Sequence, residues 1–263
     1  MTKIKESPST AVKRALTILD TIAARPGGMT NADLSRKLQI PKSSASYILR
    51  ALENSGYLRR APTGKYKLGL KLLSLRHSAL AELDIRELAL PTLQQLVDHT
   101  GKTGHVAILD REEAVYIERV EAPGFVKMDT WIGRRMDLHS TAVGKALLAF
   151  QNADFVQQVI ASRGLPLHTP KTITGQAKLM KELEKVREDG YAIDDEENSM
   201  GVRCAAAPIF GAEGNVDACI GVTGLIATKD DPQSMGEVVR EAARRVSLQL
   251  GYRPKLRGRV ANL

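Results

Sequence analysis

The stretch from Thr30 to Gly69 constrains this chain most, because it sets two short amphipathic helices beside a tight basic hairpin. Thr30-Asn-Ala-Asp33 spaces a hydroxyl and a carboxylate as a helix start does, in a relative of the capping box. Leu34 and Leu38 follow one turn apart on a single face. Pro41 suits the first position of a second helix, where its missing N–H costs nothing. In that helix Ala45, Ile48, Leu49 and Leu52 recur at i, i+3, i+4 and i+7, which predicts one buried face. The opposite face carries Lys42, Ser43, Ser44, Ser46, Tyr47 and Arg50, and Gly56 ends the helix as its C′ residue. Two short strands, Tyr57–Arg60 and Lys65–Leu68, then flank Ala61-Pro-Thr-Gly64, with Pro and Gly where a tight turn wants them. Alternation turns Leu58 and one tyrosine inward and leaves Arg59, Arg60, Lys65 and Lys67 in water.

An earlier helix is expected from about Thr10 to Ala24, with Val12, Ala15, Leu16, Leu19, Ile22 and Ala23 as its apolar stripe. Arg25-Pro-Gly-Gly28 breaks it. Three helices followed by a basic hairpin make a winged helix-turn-helix. Its second helix would present Lys42, Ser43, Ser44, Tyr47 and Arg50 to a DNA groove, with Arg59, Arg60 and Lys65 on the phosphate backbone. Basic faces are often merely solvated, and lysines also guard exposed strand edges. The charge distribution favours DNA. Residues 1–80 hold 15 Lys and Arg against 4 Asp and Glu, whereas residues 81–251 hold 19 against 26. A basic third beside an acidic remainder is the footprint of a nucleic-acid module joined to something else.

A length of 263 residues and a hydrophobic fraction of 43% allow two domains with full cores. No apolar run approaches the roughly 20 residues of a membrane span, and the N-terminus lacks a signal peptide's apolar stretch. A soluble, cytoplasmic protein is therefore expected. Cys204 and Cys219 are the only cysteines and have no paired spacing, so buried thiols are expected, with no metal site and no cofactor. Gly144-Lys145 is not a P-loop: that pattern needs Gly at 139 and Ser or Thr at 146, and the chain has His139 and Ala146.

Downstream, the leucine-rich run from Leu70 to about Ala81 is apolar on more than one face, as a helix packed on its twin in a dimer would be. A helix to about Thr100 follows, with Pro91 expected to kink or break it. Strands are expected at Gly104–Leu109, Ala114–Val120 and Phe125–Trp131. Three helices follow, at Ala142–Phe150, Asp154–Ser162 and Gly175–Asp189. Further strands at Tyr191–Asp194, Val202–Phe210 and Val216–Thr223 precede a last helix at Met235–Leu250. Together these describe an α+β domain with one mostly antiparallel sheet.

Several segments resemble the IclR family of bacterial transcriptional regulators, in order and spacing, over nearly the whole chain. They are Val12–Leu19, the helix-turn-helix, Gly56-Tyr-Leu58 with Tyr66–Gly69, Leu138–Ala149, Asp194–Glu197 and Gly201–Pro208. The resemblance implies a winged helix over 1–69 (residues 1–9 disordered), a linker and dimerisation helix over 70–84, and a GAF-like effector domain over 85–263 with a basic tail. It implies dimers, often paired into tetramers, on a palindromic operator. Such proteins repress or activate catabolic operons under the control of small, often carboxylic, metabolites. Carried onto this chain, the pocket wall would include Gly144, Asp194, Cys204, Gly221 and Thr223, with Met128 and Leu138 as apolar lining. Each has a plainer role open to it: Gly144 as a close-packing glycine, Cys204 as a core thiol, 194–197 as a solvated acidic loop. Two other classes are compatible with the residues. One is an enzyme with Cys204 as nucleophile and His105 or His139 as base, although no family-like signature surrounds that cysteine. The other is a redox sensor using Cys204 or Cys219.

Overall fold

The computed structural model describes residues 10–75, 84–124, 127–226 and 231–253. The chain divides into two compact units between Glu82 and Leu83.

In the first unit α1 (Thr10–Ala23), α2 (Asn31–Leu38) and α3 (Lys42–Asn54) enclose a core completed by the hairpin of β1 (Leu58–Arg60) and β2 (Tyr66–Leu68). Thr30 caps α2 through a full capping box: its hydroxyl accepts from the Asp33 amide at 3.2 Å, and Asp33 accepts from the Thr30 amide. Pro41 sits one residue before the position expected for it, as the N-cap of α3. Ala45, Ile48 and Leu49 are buried, and Gly56 ends the helix with φ +79°. Leu58 and Tyr66 turn inward as alternation requires, and the Gly64 amide closes the Ala61–Gly64 turn on the Ala61 carbonyl at 2.9 Å. The α1 stripe is rotated from its expected position. Ile18 and Ile22 are buried with Ala15 and Leu19 beside them, whereas Val12, Leu16 and Ala23 are exposed. The helix is apolar over more surface than this small unit can cover.

Residues 71–75 are helical, and Leu70, Leu73 and Leu75 are exposed within the unit. Residues 76–83, where the linker helix was expected to continue, lie outside the described residues.

The second unit is built on a six-stranded, fully antiparallel sheet in the order β5-β4-β3-β8-β7-β6. Its strands are β3 (Thr103–Asp110), β4 (Glu113–Val120), β5 (Arg135–Met136), β6 (Ala192–Asp195), β7 (Val202–Phe210) and β8 (Val216–Leu225). α4 (Asp84–Thr100) and α8 (Pro232–Gln249) pack on each other and on one face, formed by β3, β7 and β8. α4 runs unbroken through Pro91, which lies on its solvent side. Gly104 lets β3 approach this layer, since a Cβ there would stand 2.7 Å from both Leu93 and Val97. α5 (Ala142–Leu148) covers the other face, backed by α6 (Ala153–Arg163) and α7 (Gln176–Asp189).

No strand forms at 127–131, and Phe125 and Val126 lie outside the described residues. The free edge of β4 is taken instead by 133–136. Gly133 donates to the Tyr116 carbonyl at 2.7 Å, Tyr116 donates to the Arg134 carbonyl, and β5 pairs with Ala114 and Val115. Residues 127–132 are thereby left off the sheet, and the 127–134 segment walls a cavity. Among the described residues no helix is long and apolar enough to cross a membrane.

Candidate functional sites

On the first unit, α3 leaves Lys42, Ser43, Tyr47 and Arg50 exposed and Ser44 half-buried. Tyr47 is 80% exposed, which no core role explains. Ser43, Ser44 and Tyr47 share a shallow cleft with Arg14 of α1. Arg50 lies apart from that cleft, in one lined also by Thr30, Glu53, Arg60 and Gly64, which sets it beside the wing. Arg59 and Lys65 are exposed, and the Arg60 guanidinium stands 5.6 Å from the Tyr66 ring centre. The surface thus offers short polar side chains and an aromatic at the start of α3, with cations on the hairpin that form no ion pair among the described residues.

On the second unit, a cavity of about 220 Å³ opens between the α5 face of the sheet and the 127–134 segment. Period-two alternation and register place its floor. Tyr116 (β4), His105 (β3), Gly221 and Thr223 (β8), Cys204 (β7) and Asp194 (β6) all fall on one face across five neighbouring strands. Met128, Asp129, Thr130 and Arg134 form the opposite wall, Thr141 and Val143 the side at α5, and Asn198 and Ser199 the rim.

Five of the seven residues expected in a pocket wall lie here: Met128, Asp194, Cys204, Gly221 and Thr223. Leu138 and Gly144 do not. Leu138 is buried in the core beneath α5. Gly144 is a close-packing glycine: a Cβ would lie 2.3 Å from the Asp137 carbonyl oxygen and 2.6 Å from the Leu138 Cα. Residues that sequence reasoning did not place in the pocket wall include Tyr116, Arg134, Asn198 and His105, the last named only as a candidate base. For Tyr116 and His105 the signal was available, since each is a polar aromatic at an inward position among small or aliphatic neighbours.

Electrostatics divide the cavity. Asp194 is buried; its Oδ1 accepts the amides of Glu197 at 2.7 Å and Asn198 at 3.2 Å, while burial pushes its pKa up. The Cys204 thiol bonds the Thr223 hydroxyl at 2.9 Å, and burial pushes its pKa up too, as it does for Cys219. Both thiols are free, and both remain protonated at neutral pH, which deprives them of the thiolate that nucleophilic or redox chemistry needs. His105 stacks on Tyr116 with ring centres 4.3 Å apart and bonds Thr130 at 2.8 Å; burial lowers its pKa to about 3, so the ring is neutral. Thr130 also accepts from Arg119 Nε at 3.0 Å, which ties the outer wall to β4. Beneath the Asp194 end, Lys145 of α5 is wholly buried and reaches Glu182 at 2.9 Å and Glu197 at 2.5 Å. Among the described residues no cluster of His, Cys, Asp and Glu could hold a metal ion.

Comparison with known proteins gives this two-unit arrangement a family. The model of the IclR helix-turn-helix domain matches residues 11–62, and that of the bacterial transcriptional regulator IclR C-terminal domain matches residues 77–248. The chain belongs to the IclR family. Its relatives include the regulator XynR of Escherichia coli K12, 36% identical over 92% of this chain and 97% of that protein. The repressor AllR of the same strain is 31% identical over 95% and 93%. Among solved structures, the Thermotoga maritima IclR superposes with a TM-score of 0.76 at 33% identity, covering 93% of this chain and all of the other. An IclR homologue from Microbacterium hydrocarbonoxydans, complexed with 4-hydroxybenzoate, gives 0.80 at 25% identity, covering 92% and 99%. The chain is thus a transcriptional regulator with an N-terminal DNA-binding domain and a C-terminal ligand-binding domain, and its relatives are named as regulators rather than enzymes.

Proposed function

We propose that this regulator controls a catabolic operon, binding a palindromic operator as a dimer and switching when a small carboxylic metabolite enters the cavity of its second unit. The observation that carries the reading is that cavity, walled by the sheet and by the 127–134 segment, with Arg134 among its lining residues. At about 220 Å³ it falls below the roughly 300–1,000 Å³ of sites for drug-sized molecules, as befits a small metabolite. The Microbacterium relative, which holds a small aromatic acid, supports the ligand class.

On the DNA side, Ser43, Ser44 and Tyr47 enter the groove with Lys42 at its edge, and Arg59, Arg60 and Lys65 hold phosphates. Arg50, set beside the wing, joins the phosphate contacts. Dimerisation is supported by apolar surface that the first unit leaves uncovered: Val12 is 58% exposed and Leu70 is 75% exposed. Two recognition helices in such a dimer reach major grooves about 34–36 Å apart.

Selection from a random pool of duplex DNA with the full chain tests the reading. Enriched duplexes should carry an inverted repeat, and a panel of small organic acids should include one that raises the melting temperature and changes affinity for that duplex. Failure to enrich any sequence would refute operator recognition. Indifference to every acid would refute the carboxylate assignment.

A further inference from the structure

Strand β4 carries polar contacts out of both faces of the sheet. The β3–β4 register sets Val106 opposite Glu118 and Ala107 opposite Tyr116, so Ile117 is an extra residue in a bulge. Tyr116 and Arg119 consequently share a face, with His105 opposite Arg119, while Glu118 turns to the face that α4 covers. On the cavity side, Arg119 holds the 127–134 segment. Its Nε donates to Thr130 Oγ1 at 3.0 Å, and a terminal nitrogen donates to the Met128 carbonyl at 3.4 Å. On the other side, the buried Glu118 carboxylate joins two elements. Its Oε1 accepts the Arg119 amide at 2.9 Å, and its Oε2 stands 2.7 Å from Arg86 Nε. That nitrogen makes no aligned hydrogen bond among the described residues, so the contact is the attraction of an ion pair. Arg86 lies in the first turn of α4, which begins beside the boundary between the units. These contacts form one unbroken series from the segment over the cavity to the point where the second unit is joined to the first.

Burial makes the series stiff. Among the described residues Arg86 is the cation that pairs with Glu118, whose side chain is 7% exposed. Separating them would leave a carboxylate charged and uncompensated away from water, so the start of α4 follows β4 rather than parting from it. Arg119 is committed in the same way, its guanidinium bonded to the segment and to Glu121. A displacement at one end is then carried to the other, because packed elements shift between discrete arrangements more readily than they deform.

We propose that Glu118 and Arg119 are positioning residues that couple the 127–131 segment to the start of α4, and through it to the DNA-binding unit. Coupling of this kind is reciprocal: if the state of the segment biases DNA binding, bound DNA must bias the segment by the same factor. The reading of the cavity as the effector site supplies what would move the segment, whereas the relay itself rests on these contacts.

Trp131, the single tryptophan of the chain, follows Thr130 in the segment and is half exposed, so its quenching by acrylamide reports the segment's state. Measured on the full chain, with excitation that the duplex does not absorb, quenching should change as DNA saturates the first unit. Binding is followed in parallel by the anisotropy of a labelled duplex. The probe is the enriched operator duplex, or a random-sequence duplex at low salt where none is enriched, since phosphate binding needs no sequence. In Glu118→Gln, whose amide oxygen still takes the Arg119 N–H, and in Arg86→Met, the duplex should bind within about threefold of wild type while the Trp131 response is lost. Arg163→Gln, which breaks a surface ion pair with Glu113 outside the relay, should keep the full response. A wild-type Trp131 indifferent to saturating duplex, or a full response in Glu118→Gln and Arg86→Met, would overturn the proposal. Loss of the response in all three variants would mean general loosening and would overturn it too. Should Glu118→Gln fail to fold, Arg86→Met decides. A chain indifferent to every acid whose Trp131 still answers DNA through Glu118 would remove the effector reading and leave the relay standing.

Discussion

Glu197 should make the second unit less stable as pH rises through neutrality, and Glu197→Gln should abolish that loss. Its carboxylate pairs with the fully buried Lys145 at 2.5 Å but is only 12% exposed, and its Oε2 is buried without a hydrogen-bond partner among the described residues. Burial raises its pKa from 4.5 to about 7, in spite of the opposing pull of Lys145. The folded-state value lies above the unfolded one, so the folded form holds the proton more tightly. Its contribution is complete below about pH 4.5 and is lost as pH rises through about 7. The gap between 4.5 and about 7, at roughly 1.4 kcal/mol per pH unit, amounts to about 3 kcal/mol. Gln keeps the neutral form's shape and leaves Lys145 its bond to Glu182. The variant should match the wild type near pH 4.5 and exceed it by about 2–3 kcal/mol at pH 8. His105 acts in the opposite sense. Its pKa falls from 6.5 to about 3, so its contribution is complete above pH 6.5 and is lost on acidification towards 3. That limb is common to both proteins and cancels in their difference. Urea unfolding followed by Trp131 fluorescence is the assay, because the single tryptophan lies in the second unit and reports that unit alone. A difference between the curves that stays flat from pH 5 to 8, or grows towards acid, would refute the reasoning.

Arg59→Ala should weaken binding to every duplex about equally and lower the salt slope by about one unit, as loss of one phosphate contact does. Arg50→Ala should behave alike, because Arg50 lies with Arg60 and the wing; loss confined to one operator position would instead show that it reads a base. Gly144→Ala should destabilise the second unit by about 1–3 kcal/mol or more, since the new methyl meets backbone atoms that cannot yield; an unchanged urea midpoint would contradict this. Thr30→Ala, which removes the hydroxyl that accepts from the Asp33 amide but keeps the backbone amide that donates to Asp33, should cost the first unit about 1 kcal/mol, read by thermal melting of its helical signal.

What the sequence shows depends on how local the physics is. The capping box at Thr30, the αL glycine at 56, the Pro-Gly turn of the hairpin and its two period-two strands are each set by residues a few positions apart, and all of them form. The rotation of α1 was illegible because Val12, Leu16, Ile18 and Ile22 are equally apolar, and only tertiary packing selects the buried set. Of the strand expected at Phe125–Trp131, the described part, 127–131, forms no strand for a similar reason. Its residues suit a strand, but the edge of β4 is claimed by the residues after Gly133. In the cavity, Asp194, Cys204, Gly221 and Thr223 were approachable through the family resemblance. Arg134 came into view only when the excursion of 127–134 brought it to the cavity wall. Gly144 shows the converse. A glycine at a helix start suits ligand approach and close packing equally, and the 2.3 Å clash with Asp137 decides for packing.

The most direct test of the central claim, that occupancy of the cavity controls DNA binding, is the affinity of the full chain for its selected duplex, measured by fluorescence anisotropy. It would be titrated with the acid that raises the melting temperature, in the wild type and in Arg134→Gln. The account predicts a duplex affinity that changes with the acid in the wild type, and a response shifted to higher acid concentration in the variant, whose ligand-free DNA affinity is unaltered. A wild-type affinity indifferent to a bound acid, or an unshifted response in the variant, would contradict it.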